Sequence, residues 1–391
     1  YYSRRTDNTY FSVYDPNETL QDRLLLRTSP WTRSTGTPSR PSTPKLSSTP
    51  PRPAPTSPSC PTPTRSGSRS TPTTSRPTPR LPEFAPIRSY FGVRFIQDLD
   101  AGTCSLDVEK QINDLFKRHP ILNKLNPVRT PSPPSSAIDK FDESVPPTPV
   151  ETYVLQHYRS LVGCLIFPSS TCRPDLSYET SRAARSMSKP TRLCVFRLIH
   201  LLRYVSGHRS SKLTYHRRGG AVASYFSSLP TFITAVGKCE EPDVTLTDGT
   251  VGLVDANFAP KDQAARKSTS GYCFFYLSCL VCWKSKLQPV TAGSSHDAEL
   301  IASCLAADEA SWLHKLITEI HPYVFNATLP RSILLYGDNL GSVFTANNPT
   351  TSSRSRHLDV RFFKMRDYIK AKIVLFQHLD GKFNIADFFT K

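Results

Sequence analysis

An α/β fold built around one mixed sheet is what the sequence predicts for residues 251–391, on three observations. Five short runs there have strand character: 251–255, 272–277, 280–283, 333–336 and 373–379. A long amphipathic stretch opens at Ser294 or Ser295, and two more helical stretches separate the fourth run from the fifth. One run, Ile333-Leu-Leu-Tyr, is apolar throughout, as a strand covered on both faces should be.

Taken in order, the first run ends on Asp255 in Gly-Leu-Val-Asp-Ala-Asn. After a basic loop starting at Arg266, the second and third runs lie close enough to pair as antiparallel neighbours. On the long helix Ala298, Ile301, Leu305, Trp312 and Leu316 fall on one stripe that should pack on the sheet, which leaves Glu299 free to face a groove. Asp338 follows the fourth strand, Asn339 is placed to cap the next helix, and the second helix of the pair runs over 356–371. Asn384 can cap a last short helix with Asp387 in its first turn.

The rest of the 391-residue chain divides by composition. Residues 1–86 read as a disordered tail: 30–86 holds sixteen of the 35 prolines, with too few apolar side chains to offset the entropy of ordering. A proline-motif ligand or a basic RNA-binding arm are its functional alternatives. Residues 87–126 read as a hairpin that turns at 100–103, followed by a helix through Phe116 with Asp107 as its cap. Residues 127–150 are a Pro-rich linker, 151–220 a helical segment, and 221–250 a bridge to the last domain. In the helical segment Tyr158, Leu161 and Leu165 share a face, Pro174 and Pro190 sit at helix starts, and Val195 to Val205 form a stripe that ends at Gly207.

The formal charge of +17 favours a polyanionic partner. From 151 to 220 there are twelve Lys or Arg against three acids, and Arg192, Arg197 and Arg203 fall off the apolar stripe, positions suited to phosphate contact. No apolar run reaches bilayer length, which argues against a membrane span. The ten Cys make no spaced framework, and Cys279-x-x-Cys282 has no second ligand pair, so reduced thiols in an intracellular protein are expected rather than a zinc site. The chain opens on Tyr1, which reads as a fragment or a processed product.

Four acids in these settings suit one chemistry. In-line hydrolysis of a phosphodiester is assisted by two divalent cations, and Mg²⁺ prefers a few carboxylates, waters and substrate phosphate. Asp255, Glu299, Asp338 and Asp387 come from two strand ends and two helix starts, which can meet at one end of a sheet.

A resemblance points the same way. Asp255-Ala-Asn-Phe-Ala, Arg266-Lys-Ser-Thr-Ser-Gly-Tyr, Trp283-Lys-Ser-Lys, Ser294-Ser-His-Asp-Ala-Glu, Tyr336-Gly-Asp-Asn, Ser355-Arg-His-Leu-Asp-Val-Arg and Ile385-Ala-Asp-Phe-Phe-Thr-Lys are similar, in order, to the ribonuclease H domain of copia-type retrotransposon Pol polyproteins. Tyr158-Arg-Ser-Leu-Val-Gly, Arg173-Pro-Asp-Leu-Ser-Tyr and Leu202-Arg-Tyr-Val-Ser-Gly resemble the segment after that family's polymerase palm, and Phe91-Gly-Val-Arg-Phe the end of the palm. The chain thus resembles the C-terminal part of such a polyprotein: a helical reverse-transcriptase remnant followed by a ribonuclease H-like mixed five-stranded sheet.

The resemblance implies that Asp255, Glu299, Asp338 and Asp387 hold two Mg²⁺ ions, with Mn²⁺ as a substitute, and that the RNA strand of RNA–DNA hybrids is cut. It places Arg266, Lys267, Ser268, Lys284, Lys286, Asn339, Arg356 and His357 on the nucleic-acid side, with no small-molecule substrate. His378, near the last acid, is a candidate for assisting product release. Two positions depart from the family pattern: Asn257 stands where a second Asp is common, and His296-Asp297 where Thr-Glu is frequent. The polymerase signature of adjacent aspartates occurs nowhere in the chain, so DNA synthesis is not expected. The alternative is a catalytically inactive, nucleic-acid-binding remnant. The pattern leaves oligomeric state open.

Overall fold

The computed structural model describes residues 87–216, 221–228, 249–260, 266–325, 332–348 and 359–391. The Pro-rich tail, most of the bridge, and Arg356 and His357 lie outside them. Two sheets organise the described chain.

The smaller sheet is antiparallel and runs in the order β1 (Ser89–Tyr90), β2 (Val93–Asp98), β3 (Thr103–Asp107), β4 (Leu213–His216). Gly102 closes the β2–β3 turn at φ +63°, a conformation open to glycine. Asp107 ends β3 instead of capping the helix as expected: the cap position is Val108. The buried Asp107 carboxylate pairs with Arg94 and also accepts the Glu109 N–H, so it ties the strand to the helix start. β4 joins β3 from over a hundred residues away, with Ser105 Oγ and Thr214 Oγ1 2.8 Å apart.

Helices α1 (Glu109–Arg118), α2 (Pro149–Gln156), α3 (Tyr158–Thr171), α4 (Ser177–Arg185) and α5 (Arg192–Gly207) share one core around Leu115, Tyr158, Leu161, Leu165, Leu198 and Leu202. Thr148 and Glu151 form a capping box at the start of α2, with Pro149 in the first turn. Pro174 opens a single 3₁₀ turn ahead of α4. Pro190 falls outside α5, whose cap is Thr191.

The three arginines read as phosphate contacts are engaged inside the protein. Arg192 donates to the Glu143 carbonyl (2.9 Å) and pairs with Glu151 (3.4 Å). Arg203 donates to the Asn126 carbonyl (2.8 Å), and His200 Nε2 to that of Thr130 (3.0 Å). Arg197 is 8% exposed and lies 3.4 Å from Glu179. The Pro-rich segment before α2 has little regular backbone pairing, so its carbonyls need donors from elsewhere, and a guanidinium carries five.

The larger sheet runs in the order β7 (Cys279–Leu287), β6 (Thr269–Tyr276), β5 (Thr250–Asn257), β8 (Ile333–Gly337), β9 (Val374–His378). β5, β6 and β7 pair antiparallel, whereas β8 and β9 run parallel to β5. With helices on its faces this is the ribonuclease H-like architecture expected. β5 continues two residues past Asp255, because its pairing with β6 extends to Asn257 and Thr269. Every residue of β8 is buried. Gly252 is required by close approach, since a Cβ there would sit 2.3 Å from the Phe274 ring.

Helix α7 (Ser295–Phe325) crosses one face, and Ser294 Oγ accepts the Asp297 N–H (3.1 Å) as its cap. Ala298 and Ile301 of the expected stripe are buried, but its later part departs. Trp312 is 56% exposed, and the buried line runs through Glu299, Ala302, Ala306, Ala310, Leu313 and Ile317. Alanines let the helix axis approach β5 and β6 more closely than an indole would allow. On the opposite face α6 (Ala221–Ser228) and β4 add Phe226 and Leu213 to a second core with Leu253, Phe275 and Phe389. The helices and the smaller sheet dock on β6 and β7 through Trp283 Nε1 donating to the Ser169 carbonyl (2.8 Å), Tyr215 of β4 to that of Leu280 (2.9 Å), and Arg185 to Thr269 Oγ1 (3.1 Å).

The alanine line predicts an asymmetry on α7. Ala306→Leu should lower the unfolding free energy by about 1–3 kcal/mol in urea denaturation, as overpacking does. Trp312→Ala should change it by less than about 0.5 kcal/mol, since its ring faces solvent.

Candidate active site

Two strands, a helix and a 3₁₀ turn carry the four acids. Asp255 lies on β5 and is 2% exposed. Glu299, in the second turn of α7, is 8% exposed, and its Oε1 accepts the Ala256 N–H (3.2 Å). The stripe that buries α7 therefore carries Glu299 to the sheet, in place of the open groove expected for it. Asp338 follows β8 directly; its backbone carbonyl accepts from His378 Nε2 (3.0 Å) on β9. Gly381 leaves room for this carboxylate, because a Cβ there would lie 3.1 Å from Asp338 Oδ2.

One ligand atom from each of Asp255, Glu299 and Asp338 lies within 4.8 Å of the other two. Among the described residues these acids make the one group of His, Cys, Asp or Glu able to hold an ion. Asp387 is not a member. It sits in the 3₁₀ turn Ile385–Phe389, capped by Asn384, and its half-exposed carboxylate pairs with the Lys391 ammonium. It remains near enough to act electrostatically on Asp255 and Asp338.

Burial is the largest influence on all three clustered acids, and it disfavours their charged forms. Glu299 is pushed up to about 9, by burial and then by the charges of Asp255 and Asp338. Asp255 is pushed up to about 6; burial is offset in part by the Thr390 hydroxyl and Lys391. Asp338 is raised by burial, with Lys391 opposing. A group of buried carboxylates that repel one another and offer only oxygen ligands fits a hard divalent cation. Cys279 and Cys282 hold no such place: Cys279 is buried and Cys282 Sγ lies 3.5 Å from Glu309.

The residues expected on the nucleic-acid side separate into two sets. Lys284 and Lys286 are exposed at alternate positions of β7, and Arg266 is exposed with φ +48°. Lys267 Nζ donates to the Pro289 carbonyl (2.8 Å), Ser268 is fully buried and accepts the Ala259 N–H (3.2 Å), and Asn339 caps the helix α8 (Leu340–Asn347) through the Ser342 N–H (2.9 Å).

The sequence marks Asn384 as a cap and Asn257 as a departure, but not the long-range bonds that hold the last turn in place, nor the part of Thr390 in them. Asn384 Nδ2 donates to the Val254 carbonyl (2.8 Å), Asn257 Nδ2 to the Thr390 carbonyl (3.1 Å), and the Thr390 hydroxyl to Asp255. The available signal was the Thr-Lys pair three and four residues after Asp387.

No protein-family model matches the sequence. The chain is 26% identical over 286 residues to the retrovirus-related Pol polyprotein from transposon RE1 of Arabidopsis thaliana, covering 73% of this chain and 17% of that one. It is 24% identical over 314 residues to the corresponding polyprotein from transposon TNT 1-94 of Nicotiana tabacum, covering 80% and 21%. The chain thus spans about a fifth of the length of these relatives. It is also 30% identical over 156 residues to the secreted RxLR effector protein 161 of Plasmopara viticola, covering 40% of this chain and 90% of that one. Among solved structures, LC11-RNase H1 from compost is similar at 12% identity, with 36% of this chain and 92% of that one covered and a TM-score of 0.29.

The raised carboxylates set a pH dependence for the metal-free chain. The folded state holds protons that the unfolded state releases, so this contribution to stability is complete below the ordinary values of 3.8 and 4.5. It is lost as pH rises through about 6 for Asp255 and about 9 for Glu299. Thermal melts in chelator should fall in midpoint from pH 5 to pH 9. Glu299→Gln, which keeps an acceptor for the Ala256 N–H, should flatten that fall and raise the midpoint at pH 8 by a few degrees.

Proposed function

The chain belongs to the copia-type, retrovirus-related Pol polyprotein family, and from that premise we propose that it is a Mg²⁺-dependent ribonuclease H that cuts the RNA strand of RNA–DNA hybrids. The observation that carries the reading is the convergence of Asp255, Glu299 and Asp338 within 4.8 Å. In this reading the three carboxylates hold divalent cations, with Mn²⁺ able to replace Mg²⁺. Cations bound there supply a more acidic attacking water and charge stabilisation for the leaving oxygen.

The remaining work falls to the chain. Ala256 N–H fixes the Glu299 carboxylate, and His378 fixes the backbone that carries Asp338. Lys284 and Lys286, exposed on β7, meet backbone phosphate. Recognition of a hybrid by its shape, phosphates and 2′-hydroxyls gives little sequence preference. Two adjacent aspartates for polymerisation are absent from the sequence, so the proposal does not extend to DNA synthesis.

The pairing of Asp387 with Lys391, outside the triad, favours one second reading: a remnant that binds nucleic acid without cutting it. A cleavage assay decides between them. The full chain with Mg²⁺ should cut the RNA strand of a labelled hybrid, and Asp338→Asn should slow it by more than about 100-fold, beyond what loss of an outer-shell partner costs. Hybrid binding without cleavage in either Mg²⁺ or Mn²⁺ would support the second reading, and cleavage unaltered in the variant would refute the assigned site.

A further inference from the structure

The end of the chain is built into the acid cluster. Thr390 is fully buried, and its hydroxyl donates to Oδ2 of Asp255. The same oxygen lies 3.0 Å from the Asp387 carbonyl, but a hydroxyl has one proton, and a charged acceptor makes the stronger bond. Two backbone contacts hold Thr390 itself: its N–H donates to the Asp387 carbonyl (3.1 Å), and its carbonyl accepts from Asn257 Nδ2 (3.1 Å). An Asp at 257 would carry no proton to make that second contact while ionised, so the Asn that departs from the family pattern has a use here. Gly271 on β6 supplies the space, since a Cβ there would meet Thr390 Cγ2 at 2.7 Å and Phe389 Cβ at 2.8 Å. The tail is thus seated in a notch of β6 and aimed at one oxygen of one acid.

We propose that Thr390 is a positioning residue: its hydroxyl occupies Oδ2 of Asp255 and so fixes the rotation of that carboxylate relative to Glu299 and Asp338. The inference rests on the metal-site reading given above and adds to it the group that orients its most buried acid. Partners of this kind, one bond removed from the cation, typically change metal affinity by about 10–100-fold when removed. Packing alone would make a different demand, because the Thr390 methyl and not its hydroxyl fills the notch above Gly271.

The two roles separate on substitution. The full chain is titrated with Mn²⁺ and followed by electron paramagnetic resonance, with thermal melts to check folding and Asp338→Asn as the reference for a broken site. Thr390→Val keeps the shape and removes the hydroxyl; it should weaken Mn²⁺ binding by about 10–100-fold. Thr390→Ala, a second hydroxyl-free variant, should do the same, and Thr390→Ser should bind within about twofold of the wild type. Wild-type affinity in either folded hydroxyl-free variant would overturn the proposal. So would a Thr390→Ser variant as weak as Thr390→Val, which would assign the effect to the methyl. Equal Mn²⁺ binding by the wild type and Asp338→Asn would remove the metal site itself, and that failure is seen without any Thr390 variant.

Discussion

The closeness of helix α7 to strand β5 is the constraint on which the rest of the site depends. Ala302, Ala306 and Ala310 keep the separation short, and Glu299 lies on the same line of the helix. Its carboxylate reaches the strand and accepts the Ala256 N–H, one residue from Asp255. A bulkier stripe would lift the helix and carry Glu299 away. The acid cluster is therefore a consequence of core packing: small side chains along a helix bring a charge to a strand that already carries one. Burial first, and repulsion between like charges after it, raise the pKa values of Asp255 and Glu299.

The two halves of the described chain serve the site from different sides. The parallel pair β5 and β8 places Asp255 and Asp338 at neighbouring strand ends, where α/β sheets commonly bind ligands. The last 3₁₀ turn closes the same end, anchored by Asn384 to the Val254 carbonyl. The helical unit, by contrast, docks along β6 and β7 and uses Arg192 and Arg203 to strap down its own Pro-rich segment. Its basic composition is in part a structural requirement, so net charge overstated how many of its arginines are available to phosphate.

Local signals in the sequence were read well, and non-local ones were not. The continuous apolar run Ile333-Leu-Leu-Tyr, the caps at Ser294, Asn339 and Asn384, and the antiparallel pair around residues 272–283 each follow from a few neighbouring residues. The orientation of α7 did not, because apolar residues occur on both sides of the helix and periodicity alone ranks Trp312 above an alanine. Packing reverses that order. Three of the four acids were legible as a group. The fourth, Asp387, has a lysine four residues on, and whether a carboxylate at a turn faces its neighbours or a distant cluster is a matter of geometry. The pairing of β4 with β3 and the Thr390–Asp255 bond span over a hundred residues, a distance at which a single sequence carries no register.

The central claim is that three acids from two strands and a helix form one cation site. Anomalous diffraction from crystals of the chain grown with Mn²⁺ tests it most directly. A manganese peak bounded by the carboxylates of Asp255, Glu299 and Asp338 is the expected result. Well-ordered crystals with no peak there, or with manganese bound only at other acids, would contradict it.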